Sequence, residues 1–125
     1  MAQRFLTDRK RALGLGSGRQ GTHHHWQMMV TSMLLVVLVP AFVITFAIGL
    51  NGGHEEVLVY YSRPLPALIS VLTMAVVIFH LMSETLVAVE DYVHGLAGKL
   101  TLVAVTAFCY TLIVAGVFAV AKLAL

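Results

Sequence analysis

The sequence predicts an all-α membrane protein with three transmembrane helices, and three observations predict it. Of 125 residues, 59% are hydrophobic and 11% charged, where a soluble domain carries ~25% charge. The mean hydropathy is +0.90. Apolar runs at about 28–50, 66–90 and 99–123 each supply the roughly 20 helical residues that cross a ~30 Å hydrocarbon core. Three spans alone make a thin bundle with little interior, so a hetero-subunit helix bundle is expected.

Residues 1–21 are polar, basic and glycine-rich, with Arg4, Arg9, Lys10, Arg11 and Arg19 ahead of the first apolar run. Gly14, Gly16, Gly18 and Gly21 disfavour a long regular helix there. An N-terminal arm is expected, extended or loosely ordered, with room for one short interfacial turn over 4–11. No aromatic residues are interleaved from Arg9 to Arg19, so nucleic acid is not the expected partner; a bilayer is. A secretory signal is not expected either: the basic tail is long, no small-residue cleavage site follows it, and two more apolar runs come after.

The membrane domain spans 22–125. Thr22 is a candidate N-cap and Trp26 a candidate interface anchor. Met28 to Leu50 holds no charge, and Pro40 within it is expected to kink the helix. Asn51-Gly52-Gly53 is a stop signal. His54, Glu55 and Glu56 then read as a solvated loop, and Tyr60 and Tyr61 as interface aromatics. Pro66 suits the first turn of the second span. Residues 91–98 read as a short loop broken by Gly95 and Gly98. The third span opens at Lys99 and closes near Lys122. Positive charge concentrates before the first span and beside the 91–98 loop. The positive-inside rule therefore puts the N-terminus and that loop in the cytoplasm, and the 51–65 loop and C-terminus outside.

Chemistry concentrates between His80 and Tyr92. On a helix Glu84 lies ~40° around from His80, and Asp91 returns to within ~20° of it. Ionisable groups inside a membrane face a bundle interior, a cofactor or a water path. His80, Glu84 and Asp91 thus read as one polar stripe from mid-membrane to the cytoplasmic surface, with Glu84 a candidate for a proton path. His80 stands ~15 Å from the end of its span. Imidazole is a common axial ligand of haem iron, but a histidine bonded to a neighbouring helix is the plainer alternative, and spacing alone ranks it first. One histidine cannot supply both axial ligands; His23, His24 and His25 sit at the membrane edge, so a second ligand would come from another subunit. Asp91 and Tyr92 are either a helix-end carboxylate and a belt tyrosine, or a proton donor and a hydrogen-bond donor to a quinone.

The consecutive His23-His24-His25 do not converge on one ion, because neighbours on a helix point apart. The lone Cys109 and the methionines Met28, Met29, Met33, Met74 and Met82 read as packing residues. Gly14-Leu15-Gly16-Ser17-Gly18 follows no strand, so it is no dinucleotide fingerprint.

Two segments resemble a known family. Gly18-Arg19-Gln20-Gly21-Thr22-His23-His24-His25-Trp26, with Thr31-Ser32 after it, is similar to the glycine-rich, histidine-containing lead-in to helix one in the smaller hydrophobic membrane-anchor (cytochrome b) subunits of bacterial succinate dehydrogenase, respiratory complex II. His80, ten further residues and then Asp91-Tyr92-Val93 is similar to that family's haem-ligating histidine followed by Asp-Tyr. The layout matches over nearly the whole chain, the motifs over about a third.

The resemblance implies that His80 is one axial ligand of haem b, the other coming from the larger anchor subunit. It implies that Tyr92 hydrogen-bonds the ubiquinone head group and Asp91 assists its protonation. Docking of the iron–sulfur and flavoprotein subunits and residence in the bacterial inner membrane follow in the same way, and succinate itself would be oxidised elsewhere. Many relatives place an arginine, which helps hold a haem propionate, where this chain has Met29; His23, His24 or Arg19 are the candidate substitutes, the alternative being that the larger anchor subunit does this alone. An anchor of a fumarate reductase is the nearest alternative. A haem-free proton-path or assembly subunit, and a purely structural membrane subunit, are the alternatives outside the family.

Overall fold

The computed structural model describes residues 7–14, 16 and 20–125, and they form five helices: α1 Asp8–Leu13, α2 Gln20–Leu50, α3 His54–Tyr61, α4 Pro64–Tyr92 and α5 Gly95–Ala124. Three of them, over Gly21–Leu50, Pro64–Tyr92 and Gly95–Ala124, are long and apolar enough to cross a membrane. The all-α, three-span expectation is met, with no strand among the described residues.

The arm holds more structure than an extended chain. Thr7 caps α1, its hydroxyl accepting from the Lys10 amide at 3.3 Å, and Asp8 adds a negative charge to the first turn. Arg11 reaches back to Asp8 at 3.9 Å. The helix lies outside the bundle, with no buried residue.

Each span exceeds its expected bounds. The first helix begins at Gln20, so Thr22 lies inside it and is not its cap. His23, His24 and His25 occupy its first turns. The continuation has a physical basis: a helix satisfies its backbone internally, and Gln27 adds a side-chain bond one turn back to His23 at 3.2 Å. The helix runs through Pro40 without a break. At ~46 Å for 31 residues, α2 outreaches the hydrocarbon core.

The expected loop at 51–65 contains α3. Glu55 and Glu56 stand in its first turn, where negative charge suits the helix dipole. Its apolar residues Val57, Leu58 and Tyr61 turn inward while His54, Glu55 and Glu56 stay exposed. Tyr60 and Tyr61 meet edge to face, ring centres 5.4 Å apart, and Tyr61 is buried rather than set in an interface belt. Gly49 on α2 makes room for them.

The second loop is also shorter than expected. The α4 helix continues to Tyr92, only Val93 and His94 are extended, and Gly95 starts α5 with φ +73°. Gly98 is not a breaker but part of α5: a side chain there would strike the Val93 carbonyl, 2.5 Å from its Cβ position.

Helix α4 lies between α2 and α5 and packs on both. The close approach between α4 and α5 occurs where Gly116 receives the end of the Met74 side chain. Small polar residues, Thr45, Ser70 and Thr73, are the buried polar groups among the described residues, as helix interfaces in lipid favour. Among the described residues Tyr61 and Met82 are the buried large apolar side chains, and neither is completely shielded. An apolar cleft of about 720 Å³ opens near the α3 end, walled by Phe42, Phe46, Tyr61, Met74, Val77 and Leu123.

Candidate functional site

The site starts from one contact between α2 and α4. The Thr31 hydroxyl oxygen lies 2.9 Å from His80 Nδ1. The same hydroxyl lies 2.9 Å from the Gln27 carbonyl and 3.1 Å from the Met28 carbonyl. The Met28 carbonyl already receives Ser32 Oγ at 2.7 Å, so the Gln27 carbonyl is the freer acceptor for the Thr31 proton.

Counting donors assigns the hydrogens. A hydroxyl has one proton and two lone pairs. If Thr31 gives its proton to the helix carbonyl, it accepts from His80 Nδ1–H, and two bonds form. If it gives its proton to Nδ1, one bond forms and the carbonyl bond is lost. The first arrangement puts a hydrogen on Nδ1, so a neutral ring held this way has its lone pair at Nε2. That is the arrangement metal-ligating histidines adopt, with the second ring nitrogen donating to a fixed acceptor.

A second contact sets the register of the two helices. Thr73 Oγ1 donates to the Leu38 carbonyl at 3.5 Å. Thr31 lies opposite His80 and Leu38 opposite Thr73, so seven residues forward in α2 match seven back in α4. The same antiparallel register sets Gln27 level with Glu84, His23 level with Ala88, and the start of α2 level with Asp91.

His80 is half-buried. Glu84 and Asp91 follow on the same unbroken helix, so helical geometry keeps all three on one stripe, and both carboxylates are exposed in the isolated chain. Tyr92 closes the helix with 85% of its surface exposed, and its side chain points ~100° around from Asp91. His23 is exposed and bonded to Gln27, His24 half-buried. Met29 is exposed. Arg19 falls outside the described residues. Among the described residues no three His, Cys, Asp or Glu side chains gather as a metal-binding group. Thr31 is the residue that sequence reasoning left without a role; its place beside Ser32 in a recognised motif was the available signal.

The comparisons with known proteins agree with one another. Residues 3–121 match the family described as Succinate dehydrogenase/Fumarate reductase transmembrane subunit. The chain is similar to the succinate dehydrogenase hydrophobic membrane anchor subunit of Paracoccus denitrificans, 38% identical over 122 residues, 98% of this chain and 95% of the relative. It is also similar to the proteins of the same name from Rickettsia conorii, 25% identical over 95% of this chain and 96% of the relative, and Rickettsia bellii, 28% identical over 96% and 97%. No solved structure matches.

Proposed function

This chain belongs to the succinate dehydrogenase/fumarate reductase transmembrane subunit family, and from that premise we propose that it anchors a succinate dehydrogenase in the bacterial inner membrane, supplies one axial ligand to haem b and forms part of the ubiquinone site. The similarity to named succinate dehydrogenase anchors favours succinate oxidation over fumarate reduction as the physiological direction.

The observation that carries the haem assignment is the Thr31–His80 contact at 2.9 Å. It engages Nδ1 and leaves Nε2 without a partner in this chain's α2–α4 contact. The donor set of this chain fits half of a bis-histidine site. The larger anchor subunit would bring the second histidine, and the half-buried ring is reachable from outside the chain. Bound there, haem b exchanges single electrons within the membrane. The arm-end residues His23, His24 and Arg19 are the candidates to meet its propionates in place of an arginine at Met29.

Tyr92 and Asp91 serve the quinone. The Tyr92 hydroxyl donates a hydrogen bond to a quinone carbonyl, which polarises it and stabilises the charge that reduction places on the oxygen. Asp91 gives up a proton to that side and recovers it from water. Glu84 lies about two turns deeper on the same stripe and extends the proton path toward His80. The positive-inside pattern of charge supports a cytoplasmic position for this end, where the iron–sulfur and flavoprotein subunits would dock. Exposure of Tyr92 in the isolated chain supports a role against a partner or substrate rather than in packing.

The test is the reduced-minus-oxidised optical spectrum of the purified complex carrying His80→Ala. The low-spin b-type signal is expected to disappear while the subunits still co-purify; a signal at full strength excludes His80 as ligand.

A further inference from the structure

We infer that Thr31 is a positioning residue for the haem ligand: through its hydroxyl it fixes the tautomer and the ring direction of His80 and sets the electron donation from Nε2. The inference rests on the ligation by His80 proposed above and adds to it a residue on a different helix.

Three features of Thr31 carry it. Its hydroxyl is the group at His80 Nδ1, 2.9 Å away. The hydroxyl is itself held by the Gln27 carbonyl at 2.9 Å, so its proton is committed and its lone pairs face the imidazole. The carbonyl belongs to the helix that carries Thr31, one turn back, so the acceptor cannot move without moving α2. A threonine in a helix has restricted χ1 and bonds back to its own carbonyls. The rigid hydroxyl therefore acts as a fixed lone pair across the helix interface.

The consequence is electronic as well as geometric. A hydrogen bond accepted from Nδ1–H makes the imidazole a stronger donor at Nε2. A stronger donor stabilises ferric over ferrous iron and lowers the reduction potential. Removing the acceptor reverses this. Valine keeps the shape of threonine and loses the lone pairs; serine keeps the hydroxyl and loses the methyl group.

The complex is purified with Thr31→Val, Thr31→Ala or Thr31→Ser, and the haem midpoint potential and haem content are read for each. Thr31→Val and Thr31→Ala are expected to weaken the ferric preference ~10-fold, an upward shift of about 59 mV for one electron. Thr31→Ser is expected to keep the wild-type midpoint. Loss of haem in the valine and alanine proteins with retention in the serine protein is the same effect at larger size. Wild-type midpoints in Thr31→Val and Thr31→Ala overturn the inference, even if thermal stability falls, because a merely structural bond between helices would do that. All three variants equally depleted of haem overturn it too. A His80→Ala complex that keeps its full haem signal marks failure of the ligand assignment instead, so the two failures are distinguishable.

Discussion

The two ends of this bundle are built differently. At the α3 end the chain closes on itself: Tyr61 is buried, Tyr60 and Tyr61 pack edge to face, and both lie against Gly49 on α2. At the arm end the polar groups of α4 are left open, with Glu84, Asp91 and Tyr92 all exposed. A carboxylate on a membrane helix is costly unless it meets a partner or water. The α3 end thus packs its aromatic groups against its own chain, whereas the arm end leaves its polar groups without such cover. Two threonines draw the same contrast within the α2–α4 interface. Thr31 meets an imidazole at 2.9 Å; Thr73 meets a backbone carbonyl at 3.5 Å, a distance at the edge of hydrogen bonding.

Substitutions break the contrast from its strongest point downward. The largest effect is expected at Tyr92. Tyr92→Phe removes the hydroxyl from an exposed ring, so quinone reduction should fall about 100-fold while stability changes by no more than about 0.5 kcal/mol. Succinate oxidation with an artificial acceptor, measured on the same complex, should stay near wild type; unchanged quinone turnover removes Tyr92 from the mechanism.

At the closed end the expected pattern is the reverse. A Cβ on Gly49 would lie 2.9 Å from Tyr60 Cδ1 and 3.3 Å from Tyr61 Cε2, and the rings have each other behind them. Gly49→Ala should destabilise the complex by about 1–3 kcal/mol, read as a lower thermal midpoint, with the haem spectrum intact. A changed haem spectrum there would mean the two ends are coupled.

The smallest effect belongs to Thr73. Thr73→Val should cost about 0.6 kcal/mol, the average for hydrogen bonds between membrane helices, and leave the haem potential where it was. A potential shift as large as that of Thr31→Val would erase the distinction between the two threonines.

The spans were legible because charge-free apolar runs have one stable outcome in a bilayer, a helix that bonds its own backbone. Their ends were less legible. Thr22 reads as a cap, yet the helix starts before it, where Gln27 and His23 pair one turn apart. The α3 helix was hidden because Asn51-Gly52-Gly53 and the charged residues after it look like a loop. Its inward residues matter only once α2, α4 and α5 surround them. His80 was legible as a polar residue in apolar surroundings. Its partner was not, since Thr31 is 49 positions away and no periodicity links the two. The shared stripe of His80, Glu84 and Asp91 needed only an unbroken helix, which α4 is.

Imidazole rescue tests most directly whether His80 Nε2, deep within α4, bonds the haem iron. The complex carrying His80→Gly is purified with and without added imidazole, and its low-spin b-type spectrum is recorded. The spectrum should be lost without imidazole and return with it, because the free ring can occupy the space left beside Thr31. A full-strength spectrum without imidazole would contradict the claim.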